Sequence, residues 1–168
     1  HIGSGSSISA VKYGKAVDTS MGFTPQEGLP MGTRCGSIDP SIITYMLKNT
    51  GMTPDEMDDA MNKQSGLKGV SGVSNDMREV RAAAEAGNER AQLAMDVMYH
   101  GAKKIVGSYM AEMNGADVIV FTAGVGENDA ATRAAVAGEM EGLGVWFDYE
   151  KNASHPRGTA GVLSKEGS

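Results

Sequence analysis

The longest periodic pattern of apolar residues in the 168-residue chain runs from Asn88 to Asn114. Met98, Ala102 and Ile105 lie there at three- and four-residue spacing, which is typical of the buried face of an α-helix. Asn114-Gly115 is typical of a helix end. Capping residues and stop signals predict four further helices. These begin at Asp39, Thr53, Asn75 and Asp129, and they end near Asn49, before Ser65, at Ala86 and near Glu141.

Alternating and continuous apolar runs predict strands near both ends of the chain. Ser6–Tyr13 alternates in part, and Ala16–Ser20 returns after a Gly14-Lys15 turn, which predicts a β-hairpin. The continuous apolar run Asp117–Thr122 is typical of a buried parallel strand. Two short strands are predicted further on, over Gly144–Tyr149 and Ala160–Ser164.

Two glycine-rich segments, residues 21–36 and 65–73, have no consistent period and are predicted to be loops. A loop as long as the first is uncommon in a compact domain and is usually functional or disordered. The order hairpin, loop, helices, strand, helix, strand indicates an α/β fold with helices packed on a mixed sheet.

Composition narrows the class of protein. Glycine accounts for 23 residues, the formal net charge is −6, and Cys35 is the only cysteine. The acidic balance disfavours binding to nucleic acid, and no apolar run reaches the roughly 18 residues that span a membrane. A single cysteine fits a reducing cytosol. The start at His1, without an initiator Met or a signal peptide, indicates a fragment or a processed chain.

Three glycine-bearing segments carry candidate chemistry. In the first, residues 1–7 read HIGSGSS. Backbone N–H groups without a neighbouring Cβ, with hydroxyls beside them, suit a phosphate oxygen. The alternative is a tight turn or a linker.

The second segment, Thr122–Asn128, lies between a predicted strand and a predicted helix, where open α/β sheets bind ligands. The alternative is a dinucleotide-binding site. Gly124-Val125-Gly126 matches the first two glycines of that fingerprint, and Asp148 follows at the spacing of about 20 residues expected of a ribose-binding acid. However, Asp129 occupies the third glycine position and would repel a pyrophosphate, so this alternative is less favoured.

The third segment, residues 18–36, contains a single arginine, Arg34. A planar, permanently charged guanidinium can hold a phosphoryl group, and phosphoryl transfer is catalysed mainly by such positioning and charge neutralisation. The alternative is a salt bridge from Arg34 to Asp18 or Glu27 that holds the loop.

The nineteen residues of this third segment, DTSMGFTPQEGLPMGTRCG, resemble the signature of the acetate kinase family. The segments HIGSGSS, SNDMR and VFTAGVGEN resemble that family's nucleotide-binding segments, in the same order and at roughly the same spacing. The resemblance covers essentially the whole chain and corresponds to much of the carboxyl-terminal half of an acetate kinase. It implies the ribonuclease H-like α/β fold of actin-like ATPases and sugar kinases. Residues 1–168 would then be part of the carboxyl-terminal nucleotide-binding domain of a two-domain kinase.

The resemblance also implies a role for each matching residue. Arg34 would be the catalytic residue that stabilises the transferring phosphoryl group. The nucleotide would contact three sets of residues: His1, Ile2, Gly3, Ser4 and Gly5 along its phosphates, Asp76, Met77 and Arg78 beside the adenosine, and Gly124, Val125, Gly126, Glu127 and Asn128 to complete the site. Ser4 and Met77 stand where the family commonly has Asn and Phe, so the affinity is expected to differ while the kind of site stays the same.

As a whole, the resemblance implies a cytoplasmic homodimer that transfers the γ-phosphoryl of ATP to acetate, giving ADP and acetyl phosphate, with Mg²⁺ bridging the phosphates. The family's acetate and Mg²⁺ ligands lie outside this chain, so no metal ligand is predicted here and the fragment alone is expected to be inactive. Neither nucleic acid nor a membrane is an expected partner. The alternatives are a propionate or butyrate kinase, or a non-catalytic nucleotide-binding or dimer-forming module.

Overall fold

A computed structural model describes residues 1–168, which fall into two compact units. Unit 1 contains residues 1–3, 8–19 and 102–168, and unit 2 contains residues 4–7 and 20–101. No helix is both long enough and apolar enough to cross a membrane. The elements are, in chain order, β1 Ser9–Lys12, β2 Lys15–Thr19, α1 Ser41–Asn49, α2 Pro54–Lys63, α3 Gly66–Ser71, α4 Met77–Glu85, α5 Glu89–Met113, α6 Ala123–Asn128, α7 Ala130–Ala137, a 3-10 helix Glu141–Leu143 and α8 Tyr149–Ser154.

The predicted hairpin is confirmed in unit 1. β1 and β2 pair antiparallel, and a bulge shifts the register between Ala10 and Val11. The turn is Tyr13-Gly14 rather than Gly14-Lys15. Both residues have left-handed φ, 52° and 75°, as a two-residue hairpin turn of the primed type requires.

The predicted long helix is confirmed as α5, and its apolar face is buried. Its first half contributes Ala91, Ala94, Met95 and Met98 to the core of unit 2, and its second half contributes Ala102, Val106, Tyr109 and Met110 to the core of unit 1. The methionines fill these positions because an unbranched, polarizable side chain adapts to irregular gaps.

One predicted helix start of unit 2 is confirmed and another is corrected, since Pro40 and not Asp39 is the N-cap of α1. Thr53 and Glu56 form a capping box at the start of α2. Residues 65–73, in contrast, were predicted to be a loop and instead contain α3. The backbone N–H groups of Leu67 and Lys68 donate to carbonyl oxygens of the preceding loop at 2.9 and 3.0 Å, so distant bonds overcome the poor helix propensity of glycine.

The prediction of a buried parallel strand over residues 117–122 is wrong for the described chain. The segment forms no ladder, and Val118 and Val120 are 72% and 68% exposed. Its one backbone bond to a distant residue is from Ile2 N to Thr122 O. An apolar cleft of unit 1, lined in part by Ile2, Val106 and Ile119, lies beside it.

The remaining predictions for unit 1 are corrected in detail. The predicted strands over 144–149 and 160–164 are reduced to single bridges, Met140 with Val145 and Phe147 with Ser164. The predicted helix from Asp129 ends early, as α7. Two short helices, α6 and α8, lie where no helix was predicted.

Candidate functional site

The Arg34 loop (residues 21–36) of unit 2 has no helix or strand of its own and is held by backbone hydrogen bonds and buried side chains. Met31 N donates to Arg34 O at 3.0 Å, and Cys35 N donates to Met61 O at 2.9 Å. Leu29 and Met31 are buried in the core of the unit. The backbone on both sides of Arg34 is therefore fixed.

Glycine is required in this loop because other backbone atoms approach closely. A Cβ at Gly36, where φ is +71°, would lie 2.5 Å from Pro30 N and 2.7 Å from Gly28 O. A Cβ at Gly32 would lie 2.8 Å from Asn75 O. Real Cβ contacts are not this short, so a side chain at either position would displace the loop.

The Arg34 side chain is half-buried and has no counter-ion. Its Nη1 lies 3.4 Å from Met31 Sδ, and no carboxylate lies within ion-pair distance of it. The salt bridge that formed the alternative interpretation of Arg34 is therefore absent. A guanidinium with unused donors on a fixed backbone is suited to an anionic ligand.

The second predicted group of unit 2 lies at the start of α4. Asp76 caps the helix, accepting from Arg78 N at 2.9 Å, and it also accepts from Arg78 Nε at 3.0 Å and from Nη2 at 2.5 Å. These bonds lower the pKa of Asp76 from 3.8 to about 2. Arg78 is exposed, whereas Met77 is buried. Only Asp76 and Arg78 of this group thus offer polar atoms at the surface.

In unit 1 the first and second candidate segments come together. Ile2 N donates to Thr122 O at 3.0 Å, and Ile2 O accepts from Val125 N at 2.9 Å and from Gly126 N at 3.0 Å. His1 Nδ1 and Thr122 Oγ1 lie 3.3 Å apart. Of the other residues of the first segment, Gly3 belongs to unit 1, while Ser4 and Gly5 belong to unit 2 and are exposed.

The glycine segment (residues 123–128, which form α6) presents a bare backbone surface rather than a row of free N–H groups. Ala123 N donates to Glu127 Oε1 at 3.0 Å, and the amides of Val125 and Gly126 are bonded to Ile2. Gly124 is exposed, and a Cβ built there would meet no atom within 4 Å. A ligand can therefore approach the chain closely at Gly124.

The N-terminus of the helix after the glycine segment is capped by a carboxylate. Asp129 caps α7, and its Oδ1 accepts from Ala131 N at 3.0 Å and from Thr132 N at 3.2 Å. The carboxylate thus occupies the place that a phosphate would take at the N-terminus of α7.

Arg133 and Asn152 were not among the predicted site residues, yet both are buried. Arg133 contacts the glycine segment, and Asn152 contacts Arg133. Arg133 donates to Glu127 O at 2.7 Å and to Asn152 Oδ1 at 2.7 Å. One sequence signal was available, because Arg133 lies three and four residues before Val136 and Ala137, on the buried face of α7. No group of three or more His, Cys, Asp or Glu residues in the chain could hold a metal ion.

Two solved structures have the same fold as this chain and thereby define its class of protein. The crystal structure of acetate kinase from Porphyromonas gingivalis matches this chain with a TM-score of 0.96 and 49% identity, covering 100% of this chain and 42% of that one. The crystal structure of a propionate kinase from Francisella tularensis subsp. tularensis matches with a TM-score of 0.92 and 44% identity, again covering 100% and 42%. The predicted fold class, that of the actin-like ATPases, is confirmed.

Sequence relatives identify the family. The sequence profile of the Acetokinase family matches residues 1–168. Acetate kinase 2 of Clostridium perfringens is 54% identical over 168 residues, which are 100% of this chain and 42% of that relative. The chain belongs to the acetokinase family, which confirms the resemblance. It spans about two-fifths of the length of the relatives that it matches.

Proposed function

We propose that this chain is the phosphoryl-transfer part of an acetate kinase. The full-length protein would move the γ-phosphoryl of ATP to acetate and release ADP and acetyl phosphate. The observation that carries the proposal is the half-buried Arg34 guanidinium, which has no counter-ion and stands on a loop whose backbone is fixed. The names of the sequence relatives support acetate as the acceptor.

The proposed role of Arg34 follows from the charge that develops during the transfer. A carboxylate oxygen of acetate attacks the γ-phosphorus, the bond from that phosphorus to the bridging oxygen breaks, and ADP leaves with the bond's electron pair. Negative charge spreads over the oxygens of the transferring group. Arg34 supplies fixed N–H donors to those oxygens, and a donor that is already in place needs no reorganisation at the moment of reaction.

Each unit contains residues for which we propose nucleotide contacts. In unit 1, His1, Ile2, Gly3 and the glycine segment would contact the nucleotide, with Gly124 as the point of closest approach. In unit 2, Ser4 and Gly5 would contact phosphate, and Asp76 and Arg78 would flank the adenosine. The buried position of Met77 supports a role in holding these two residues rather than a direct contact.

The proposal includes Mg²⁺ with the nucleotide, as the family resemblance implies. Mg²⁺ is usually held by one or two carboxylates together with the phosphates of the nucleotide. Its protein ligands would come from residues outside positions 1–168. The homodimer and the cytoplasmic location likewise rest on the family resemblance and stay predictions.

The test uses the full-length protein with ATP, Mg²⁺ and each of acetate, propionate and butyrate, and it traps the acyl phosphate as a hydroxamate. We expect the highest kcat/KM with acetate. A higher value with propionate would favour the second candidate, to which the similarity of the propionate kinase structure points. The isolated 168-residue chain is expected to show no turnover.

Two further outcomes would contradict the proposal. The absence of any acyl phosphate from the full-length protein would rule out all three kinases. Sedimentation that shows a dimer, with calorimetry that shows no ADP binding, would favour a dimer-forming module. An Arg34→Ala variant, assayed in parallel, gives the background of the trapping reaction.

A further inference from the structure

Arg133 is the one charged side chain of the molecule that is fully buried, at 3% exposure. Its Nη1 donates to Glu127 O at 2.7 Å and to Gly126 O at 3.2 Å. Its Nε and Nη2 donate to Asn152 Oδ1 at 2.7 Å and to Asn152 O at 3.3 Å. No carboxylate pairs with it, so neutral oxygen atoms alone offset the burial of its charge.

The glycine segment, which these bonds reach, does not form a helix by its own propensity. α6 has six residues, two of which are glycine, the least favourable helix residue after proline. A helix this short is not stable in water. Ala123 at its start has a left-handed φ of 67°, which is unfavourable for a residue with a Cβ. Its neighbours must therefore impose the conformation of the segment.

Those neighbours act at the two ends of α6. At its start, Ile2 O accepts from the amides of Val125 and Gly126. At its end, no N–H group within so short a helix donates to the carbonyl oxygens of Gly126 and Glu127. The Arg133 guanidinium donates to both of them. A cation is also favourable at a helix C-terminus because the peptide dipoles place partial negative charge there.

Asn152 fixes the direction in which the guanidinium lies. Its Nδ2 donates to Ala130 O at 2.8 Å, so its Oδ1 faces Arg133 Nε. Asn152 is itself buried, and it connects α8 to the start of α7. The bonds of Arg133 thus have one arrangement, in which Nη1 lies at the end of the glycine segment.

We infer that Arg133 is a positioning residue for adenine nucleotides: it holds the glycine segment in its nucleotide-accepting conformation before the nucleotide binds. The inference rests on the proposed nucleotide-binding role of that segment. Arg133 is buried beneath the segment, so it acts through the carbonyl oxygens of Gly126 and Glu127 and not by contact with the ligand.

The test compares Arg133→Lys and Arg133→Gln with Lys103→Met in the full-length protein. Lys103 is a matched control, because its Nζ also donates to a backbone carbonyl of unit 1, Gly138 O at 2.7 Å, without contacting the glycine segment. Hydrogen exchange of residues 123–128 is measured without nucleotide, together with kcat and the KM for ATP and for acetate.

We expect Arg133→Lys to speed exchange of the segment by at least about tenfold and to raise the KM for ATP about tenfold, because apparent affinity falls in proportion to the fraction of molecules that hold the binding conformation. The kcat at saturating ATP and the KM for acetate should stay within about twofold, because bound nucleotide restores the segment. Arg133→Gln should act in the same direction and more strongly. Lys103→Met should change neither the exchange rate of the segment nor the KM for ATP.

Unchanged exchange and an unchanged KM for ATP in Arg133→Lys would overturn the inference. An equal rise in KM for Lys103→Met would also overturn it, since general loss of stability in unit 1 would then be the cause. If Arg133→Gln does not fold, the lysine variant decides, because it keeps the charge. Absence of ATP-dependent protection at 123–128 in the unaltered protein would overturn the proposed nucleotide contact of the segment, whereas a nucleotide-free exchange rate that Arg133→Lys leaves unchanged would overturn only the inference.

Discussion

The Arg34 loop and the glycine segment are both irregular in sequence, but different forces hold them. The loop is fixed by backbone bonds along its length and by two buried side chains, Leu29 and Met31. The segment is held at its two ends, by Ile2 and Arg133. Glycine also serves different purposes in them, since a Cβ at Gly36 would collide with backbone whereas a Cβ at Gly124 would meet nothing. The loop's glycines are thus needed to fold the chain, and Gly124 is free to serve a ligand.

The largest expected effect concerns Arg34, for which the loop provides a fixed backbone. In the full-length protein, Arg34→Ala should lower kcat by at least about 10³-fold, with little change in the KM for ATP, because in the proposed mechanism the guanidinium acts on the transferring group. Stability should change by less than about 0.5 kcal/mol, since the only hydrogen bond of the side chain is the one to Met31 Sδ. Steady-state kinetics and urea unfolding check both. A raised KM for ATP with level kcat would instead make Arg34 a binding residue.

The next effect tests whether the loop's glycines serve the fold. Gly36→Ala should destabilise the protein by about 2–4 kcal/mol, because it combines an unfavourable φ with a backbone collision. Gly51→Ala is the control, because Gly51 has a φ of +75° but open space around it, and it should cost only about 1 kcal/mol. Urea unfolding of both variants measures the difference. Equal losses of stability in the two variants would show that the loop shifts to relieve the collision without cost. Its backbone would then be less rigid than its hydrogen bonds indicate.

A smaller effect tests whether Gly124 serves a ligand. Gly124→Ala should leave the protein as stable as before or slightly more stable, because alanine is the better helix residue. Its affinity for ATP should fall about tenfold, since a methyl group would stand where the nucleotide approaches. Gly142→Ala, also in unit 1 and also with nothing within 4 Å, should leave the affinity unchanged. Calorimetric titration compares them, and unchanged affinity in Gly124→Ala would place the nucleotide elsewhere.

Elements of the fold that depend on neighbouring residues could be predicted from the sequence. The capping box of Thr53 and Glu56 is such a case, since its bonds join residues three positions apart. α3 and α6 were missed because amide groups of these helices donate hydrogen bonds to residues far away in the sequence, Met31 and Ile2. The apolar run 117–122 has the composition of a buried strand, but composition does not show whether a partner strand lies beside it.

The candidate site divides in the same way. Arg34 and Gly124 could be proposed as site residues from the sequence alone. Each lies in a glycine-rich segment whose residue types indicate its chemistry and which resembles a segment of a known family. The contacts of Arg133 and Asn152 could not be predicted, because their bonds join residues that lie 6 to 22 positions apart in the chain. Whether a glycine serves the fold or a ligand also required the structure, because both kinds read alike in sequence.

The smallest effect is a pH dependence that should appear in the Arg34 loop and not in the glycine segment. The bonds from Arg78 lower the pKa of Asp76 from 3.8 to about 2 in the folded chain. Ionised Asp76 therefore stabilises the fold above pH 3.8, and this stabilisation is lost as the pH falls through about 2. Because Gly32 of the loop packs against Asn75, next to Asp76, the loosening should reach the loop.

Asp76→Asn isolates this contribution, because Asn keeps a capping oxygen but does not titrate. The unaltered protein should lose more stability than Asp76→Asn as the pH falls from about 5 to about 2, and hydrogen exchange should show the difference in the Arg34 loop. Asp148→Asn removes a carboxylate of unit 1 whose pKa is also lowered, mainly by its bond from Lys151 N, and should leave the loop unaffected. An equal loss of stability in Asp76→Asn would show that another group governs the acid response. Faster exchange in the glycine segment instead would show that this segment depends on acid-sensitive bonds beyond those of Ile2 and Arg133.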